Sequence, residues 1–127
     1  ILTALGLTAH ADAYPAALPF GVQKVADIGR ALALAPSLMA MDEPFSGLDE
    51  RERSAIRAIL TGMRAAGVTI LIIDHAVQEV LRVADRIVVL EFGRVLAEGA
   101  PEEIRHDPEV HRAYFGADGA PDRIVAA

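Results

Sequence analysis

The chain has 127 residues, of which 53% are hydrophobic and 24% charged, and its formal net charge is −6. This length provides one domain or part of a larger one. Its apolar runs fall well short of the ~20 residues of a membrane-spanning helix, and the acidic balance argues against nucleic acid as the main ligand. Cysteine is absent, which excludes disulfides and thiolate metal sites and is compatible with a reducing compartment.

The first third of the chain predicts a loop followed by a helix. Pro15 and Pro19 mark irregular backbone before the helical pattern begins. From Val22 to Ala35 apolar residues recur at helical spacing on nearly every side, which predicts a well-buried helix. Pro36 then ends the helix and leads into the next element.

An apolar run from Leu38 to Met41 leads directly into two adjacent acids, Asp42 and Glu43, and Pro44 closes it. A run of this length predicts a fully buried strand. In parallel α/β sheets, ligands collect at the carboxyl ends of the strands. Asp42 could therefore hold Mg²⁺ through water, since hard oxygen ligands suit that ion, and Glu43 could orient or deprotonate a water. Both could equally be ordinary strand-end residues that begin a turn.

The next two elements are a helix and a second strand. Asp49 is a natural N-cap, and Glu52 completes a capping-box pair before a helix that Gly67 closes. Residues Val68 to Ile73 are mostly β-branched and predict a strand covered on both faces. His75 follows it at the matching end. It is either a phosphate contact beside the carboxylates or a structural histidine.

The remainder of the chain predicts a helix, a β-hairpin, two short helices and a loose tail. Two strand–helix alternations followed by a hairpin indicate the α/β class with a partly parallel sheet. The predicted segments are a helix through Val77 and Ala84, strands Arg86 to Glu91 and Arg94 to Glu98 around Phe92-Gly93, helices from Pro101 and from Asp107-Pro108 to near Gly116, and the tail Ala117 to Ala127.

Taken in order, these motifs resemble those of the ATP-binding cassette (ABC) ATPases, the P-loop NTPase-like motor subunits of ABC transporters. The residues that carry the resemblance are the signature motif of Leu18, Pro19, Phe20, Gly21, Val22 and Gln23, the Walker B strand Leu38 to Pro44, the D-loop of Ser46, Gly47, Leu48 and Asp49, and the switch histidine His75. The signature variant and the ending from Pro101 to Gly116 are similar to the branched-chain amino acid importer group.

The resemblance implies that two such domains pack head to tail around two ATP molecules. It implies that Asp42 helps to hold Mg²⁺, that Glu43 polarises the attacking water and that His75 contacts the γ-phosphate. The signature and the D-loop would contact ATP across the dimer. Phosphoryl transfer needs mainly such positioning and charge stabilisation. The implied cofactors are ATP and Mg²⁺. The implied partners are a second ATPase subunit, a membrane permease and, indirectly, a solute-binding protein, with no nucleic acid.

The resemblance also implies a domain division and a location. Residues 1–35 would belong to a helical subdomain, residues 36–116 to the C-terminal part of the catalytic core, and residues 117–127 to a flexible tail. The protein would lie at the cytoplasmic face of the plasma membrane, attached through the permease.

The chain departs from the family pattern at several positions. No G-x-x-x-x-G-K-[ST] phosphate loop occurs, and the only lysine, Lys24, lies just after the signature. Pro19 stands where most of the family has serine and provides neither a hydroxyl nor an N–H. Val22 stands where the family usually has glutamine or glutamate, and Ala76 stands where it commonly has aspartate.

These departures leave two functions open. The first is the C-terminal part of an ATP-hydrolysing importer subunit, for branched-chain amino acids or for urea or amides. On its own this part would bind ATP weakly or not at all, and it would be inactive because it has no phosphate loop. The alternative is a truncated, non-catalytic cassette that only donates the signature motif or binds partners.

Overall fold

The computed structural model describes residues 1–115 and 123–126. Two short 3₁₀ turns, Thr8–His10 and Pro15–Ala17, precede the first helix. The helices are α1 Phe20–Leu32, α2 Glu50–Ala65, α3 Val77–Val83, α4 Pro101–His106 and α5 Pro108–Phe115, and the strands are β1 Leu38–Asp42, β2 Thr69–Asp74, β3 Ile87–Glu91, β4 Arg94–Gly99 and β5 Arg123–Ala126.

The capping box predicted at the start of α2 is confirmed. The Asp49 carboxylate accepts a hydrogen bond from the Glu52 N–H at 2.8 Å, and the Glu52 carboxylate accepts one from the Asp49 N–H at 2.9 Å. Two backbone donors that the helix leaves without partners are thereby satisfied. The helix therefore begins at a defined residue directly after the Ser46–Asp49 turn.

The strands form one sheet in the order β1-β2-β5-β3-β4. β1 and β2 are parallel, with Asp42 opposite Ile73, and β3 and β4 form an antiparallel hairpin. The hairpin turn places Phe92 at φ 46° and Gly93 at φ 73°, and positive φ at both turn residues matches the twist of paired strands. The predicted α/β fold, the partly parallel sheet and the hairpin are confirmed.

The prediction of a loose tail is wrong for residues 123–126. These residues form β5, which lies between β2 and β3 and is antiparallel to both, with Val125 opposite Ile73 and Val88. The rest of the predicted tail lies outside the described residues. Without β5, one edge of β2 and one of β3 would carry backbone donors and acceptors without partners, and buried backbone groups require them. This pairing is long-range, so no local pattern indicated it.

The prediction that β1 is buried on both faces is also wrong. Met39 is buried, with 6% of its surface exposed, whereas Leu38 is 57% exposed. Successive side chains of a strand point to opposite faces, so among the described residues only the Met39 face of this edge strand is covered. On β2, Ile72 is buried but Ile70, Leu71 and Ile73 are half-buried. An apolar run alone does not reveal whether a second layer covers it.

An apolar cluster of the described residues connects the helices to the sheet. It contains Val25 and Ile28 of α1, Ile56, Leu60 and Met63 of α2, Val80 and Leu81 of α3, and Ile87 and Val89 of β3. Helix α1 is amphipathic rather than buried on all sides, because Asp27 and Arg30 lie in solvent. Within residues 1–115 and 123–126, no helix combines the length and the apolar character that crossing a bilayer requires.

Candidate functional site

The candidate site lies where β1 and β2 end. Since the two strands are parallel, their carboxyl ends meet at the same edge of the sheet. Glu43 follows β1 and His75 follows β2, and the His75 Nδ1 atom lies 3.5 Å from the Glu43 Oε1 atom. Both side chains are partly exposed, with 39% of Glu43 and 56% of His75 accessible. The structure thus brings together the two side chains that the sequence placed at matching strand ends.

Glu43 has an unusual backbone. Its φ is +49°, in the left-handed region that costs a non-glycine residue about 1–2 kcal/mol. It also precedes Pro44, and a residue before proline normally adopts extended backbone. The Glu43 N–H donates to the Ile73 carbonyl at 2.7 Å, which continues the β1–β2 pairing to this residue. Surrounding structure therefore holds the carboxylate in a direction that the isolated chain would not favour.

Asp74 is a residue of this site to which the sequence gave no role. Its side chain is fully buried. One carboxylate oxygen accepts the Phe45 N–H at 3.0 Å, and the other accepts the Ala76 N–H at 2.8 Å. A buried charge needs such partners. The only signal was a carboxylate that ends an apolar strand, and its burial depends on the tertiary fold. Asp74 ties the loop after Glu43 to the loop that carries His75.

The Ser46–Asp49 turn is anchored at both ends by core side chains. Phe45 is 0% exposed and Leu48 is 5% exposed, and the Arg53 Nε atom donates to the Leu48 carbonyl at 3.0 Å. Gly47 has φ +73°, and a Cβ there would lie 3.1 Å from the Phe20 ring. Glycine therefore provides both the backbone conformation and the close approach of the ring.

The Leu18–Gln23 segment leads into α1 and includes its first turn. Pro19 is the N-cap and makes no side-chain capping bond, while the Gln23 Nε2 atom donates to the Leu18 carbonyl at 2.8 Å. Gly21 is buried, and a Cβ there would overlap the Glu52 carboxylate. The segment thus packs against both the Ser46–Asp49 turn and the capping box, so the fold brings these two predicted motifs together.

Lys24, the next residue of α1, also reaches the site. Its Nζ atom donates to the Glu43 carbonyl at 2.6 Å and to the Pro44 carbonyl at 3.4 Å. The same atom lies 5.4 Å from the centroid of the Phe20 ring. The sequence identified Lys24 as the only lysine but assigned it no function, because nothing local connects it to residues about twenty positions later.

Asp42 is the last residue of β1 and its side chain is exposed. Over residues 1–115 and 123–126, no group of three or more histidine, aspartate or glutamate side chains could hold a metal ion alone. Proteins commonly bind Mg²⁺ through one or two carboxylates, with phosphate oxygens and waters completing its shell. An exposed carboxylate beside Glu43 fits that mode of binding.

A cluster of three charged side chains joins α2 to α3. Arg57 pairs with the Glu79 carboxylate, of which 4% is exposed, and donates to Glu50 at 2.8 Å. Hydrogen bonds to Glu50 and Glu79 raise the pKa of Arg57, and the bond from Arg57 lowers the pKa of Glu50. Because α2 follows the Ser46–Asp49 turn and α3 follows His75, this pairing fixes the two loops relative to each other.

Comparison with known proteins places the chain beside nucleotide-binding subunits. Residues 94–120 match a family profile described as branched-chain amino acid ATP-binding cassette transporter. The chain is 38% identical to the lipopolysaccharide export system ATP-binding protein LptB of Acidithiobacillus ferridurans, over 91% of this chain and 48% of that protein. It is 37% identical to the high-affinity branched-chain amino acid transport ATP-binding protein LivG of Salmonella typhimurium, over 91% of this chain and 46% of that protein.

Solved structures show the same similarity in three dimensions. The ADP conformation of MJ1267, an ATP-binding cassette of an ABC transporter, superposes with a TM-score of 0.82 at 32% identity, covering 91% of this chain and 47% of that one. A nucleotide-free ATP-binding cassette from an ABC transporter also gives a TM-score of 0.82, at 34% identity. The chain spans about half the length of the curated relatives it matches.

Proposed function

We propose that this chain, which belongs to the ATP-binding cassette ATPases, supplies the water-activating and γ-phosphate-contacting residues of a transporter subunit that hydrolyses ATP. The observation that carries the proposal is the 3.5 Å approach of Glu43 and His75 at the shared edge of β1 and β2. Asp42 lies directly before Glu43 at the end of the same strand. Carboxylate, imidazole and carboxylate at one sheet edge suit phosphoryl transfer to water.

Each side chain has one role in this proposal. Glu43 polarises the attacking water, and the imidazole of His75 donates a hydrogen bond to the γ-phosphate. Asp42 would hold, through a bound water, the Mg²⁺ that accompanies ATP. When bound, that ion offsets the charge on the phosphate oxygens. Asp74 is a supporting residue, because it fixes the two loops without facing the reacting atoms.

The Leu18–Gln23 segment would contact the ATP held by a second subunit. The first turn of α1 provides backbone N–H groups and the positive end of the helix dipole, which favour a phosphate. Pro19 offers no N–H, so this contact depends on Phe20, Gly21 and Val22. Their packing against Gly47 and Glu52 would join this contact to the Ser46–Asp49 turn.

The test is Glu43→Gln in a protein where these 127 residues follow an upstream phosphate-binding loop. Loss of the carboxylate should lower phosphate release by about 100-fold or more, while ATP binding and ATP-dependent dimerisation are retained. Phosphate release, nucleotide binding and light scattering with ATP measure the three properties. Glu109→Gln, at an exposed carboxylate on α5, is the matched control and should hydrolyse ATP normally. Undiminished turnover in Glu43→Gln would remove the role assigned to Glu43.

We propose branched-chain amino acid uptake as the transport process, with the chain at the cytoplasmic face of the membrane. Its direct partner would be a membrane permease, and a periplasmic or extracellular solute-binding protein would be an indirect partner. The family profile matched by residues 94–120 supports this, while the LptB similarity favours lipopolysaccharide export as the second candidate. Joining the chain to the upstream half of LivG in a strain without LivG separates them. Restored uptake of labelled leucine supports the first. The parallel experiment joins the chain to the upstream half of LptB in a strain without LptB, and restored growth only in that strain supports the second.

A non-catalytic cassette remains the rival from another functional class. It predicts no ATP turnover even with an upstream phosphate-binding loop and the permease present. In that case Glu43→Gln and the unmodified chain would behave alike, because neither would hydrolyse ATP. Measurable turnover that disappears in Glu43→Gln therefore excludes a cassette whose own catalytic residues are inactive.

A further inference from the structure

Glu43 is held in a backbone conformation that its own sequence disfavours. Its φ of +49° is left-handed, and the following proline adds a second restriction. Such conformations persist only where surrounding contacts over-determine them. The N–H side of Glu43 is fixed by the Ile73 carbonyl at 2.7 Å, so the carbonyl side needs a separate partner.

Lys24 is that partner. Its Nζ donates at 2.6 Å to the Glu43 carbonyl and at 3.4 Å to the Pro44 carbonyl, so one ammonium group contacts the carbonyls of two successive residues. A charged donor makes a shorter and stronger hydrogen bond than a neutral one. The Phe20 ring, 5.4 Å from Nζ, provides a π face that attracts the cation. The side chain is half-buried, which limits competition from water.

The contact joins two segments that are otherwise separate along the chain. Lys24 lies in the second turn of α1, whose first turn carries Gly21 and Gln23. Glu43 begins the loop that leads to Ser46, whose N–H also donates to the Glu43 carbonyl, at 3.3 Å. The orientation of that carbonyl fixes the peptide plane after Glu43, and through it the direction in which the carboxylate leaves the backbone.

We infer that Lys24 is a positioning residue for Glu43: its ammonium holds the left-handed Glu43–Pro44 backbone so that the carboxylate stays beside His75. This inference rests on the role proposed above for Glu43. Lys24 contacts no reacting atom in this assignment and acts only through the Glu43 carbonyl. Without it, the backbone of Glu43 keeps only the bonds to the Ile73 carbonyl and the Ser46 N–H, and the 3.5 Å approach of Glu43 to His75 loses its one charged support.

Hydrogen exchange of the 127-residue chain tests the hold directly. Lys24→Met keeps the length of the side chain and removes its donors, and Lys24→Arg restores charged donors. In Lys24→Met the Glu43 and Phe45 amides should exchange about tenfold faster or more, while α2 amides and the unfolding midpoint stay as in the unmodified chain. Lys24→Arg should recover most of the protection. Arg30→Met, at an exposed arginine of the same helix, should leave these rates unchanged.

Two exchange results would overturn the inference. Unchanged Glu43 and Phe45 rates in Lys24→Met would show that the Ile73 and Asp74 bonds suffice without the lysine. A uniform rise across α2 as well would show that Lys24 contributes only to global stability. A local rise that Lys24→Arg reverses supports the assignment.

Turnover in a protein with an upstream phosphate-binding loop gives the functional readout. Lys24→Met should lower kcat by about tenfold because the carboxylate is misplaced, with KM for ATP within about twofold of the unmodified value. A raised KM at unchanged kcat would overturn the inference. Glu43→Gln in the same protein tests the proposed function separately. If that variant turned over normally, the role of Glu43 would fail, while the exchange measurements would still decide whether Lys24 holds its backbone.

Discussion

Asp74 shows how one side chain can organise a site without facing it. Its two oxygens accept N–H groups from Phe45 and Ala76, which belong to the loops after β1 and β2. An amide side chain cannot accept in both directions, because its nitrogen is a donor, so the arrangement depends on a side chain with two acceptor oxygens. Lys24 acts on the same loop through the Glu43 carbonyl. At this scale the candidate chemistry depends on backbone groups held by buried or half-buried charges.

Replacing Asp74 by asparagine should destabilise the chain by about 1–3 kcal/mol, because one buried N–H would face an amide group that cannot accept its hydrogen bond. Urea unfolding followed by circular dichroism measures this change. The control is Asp85→Asn, since the Asp85 side chain is 70% exposed and pairs with Arg64, an arginine that is itself exposed. A loss of stability that is equal in the two variants would contradict the role given to Asp74.

Arg57 of α2 forms ion pairs of two kinds, one to Glu79 of α3 and one to Glu50 of its own helix. Glu79 is buried and pairs with Arg57, whereas Glu50 is 69% exposed and pairs with the same guanidinium. Arg82 approaches both acids, at 3.5 Å from Glu79 and 3.8 Å from Glu50. Removing one partner of a buried pair leaves an uncompensated charge, while exposed pairs contribute little. The packing of these two helices therefore depends on Arg57 and Glu79 more than on Glu50.

The substitution Arg57→Met should lower the free energy of unfolding by about 2–3 kcal/mol, because the Glu79 carboxylate would lose its buried partner. Thermal or urea unfolding at neutral pH measures the loss. Glu50→Gln is the control and should have a much smaller effect.

The effect of Glu50→Gln on the free energy of unfolding should also depend on pH. The hydrogen bond from Arg57 lowers the pKa of Glu50 from its ordinary value of 4.5, so its stabilisation is present above that value and is lost as the pH falls through the lowered pKa. The difference between Glu50→Gln and the unmodified chain should therefore disappear in acid. A control effect as large as that of Arg57→Met would contradict the division into buried and exposed pairs.

The whole molecule is closed by its last described strand. β5 supplies the ladder between β2 and β3 and pairs with both, so the parallel half of the sheet and the hairpin form one sheet only through it. Ala126 is 2% exposed and belongs to the apolar cluster. The stability of the chain as a whole therefore depends on four residues near its end.

Val125→Pro tests this dependence. Because β5 lies between two strands, the N–H of each of its residues points toward one of them, and proline removes that donor. We expect a loss of about 2–3 kcal/mol, measured by urea unfolding, and faster amide exchange at Val88, which lies opposite Val125 on β3. Val125→Thr keeps the N–H and the branched Cβ and should lose much less. If the proline variant unfolded at the same urea concentration as the unmodified chain, β5 would not be closing the sheet.

The sequence by itself determined the elements whose causes are local. The Asp49 and Glu52 capping box, the β-branched run before His75 and the Phe92-Gly93 turn each depend on residues a few positions apart, so spacing predicted them. It also placed Glu43 and His75 at the ends of neighbouring strands, because parallel strands end at one edge. The roles of these residues in ATP hydrolysis stay predictions until the variants are measured.

Only the tertiary structure decided the contacts between distant segments. The burial of Asp74, the reach of Lys24 to Glu43, the open face of β1 and the insertion of β5 each join residues roughly twenty to fifty positions apart, or depend on whether a second layer covers a strand. Side-chain patterns report the face that is buried, but backbone pairing and layer coverage are set by chain topology. For that reason the sequence identified the reactive side chains at this edge of the sheet, and the fold identified the residues that hold them.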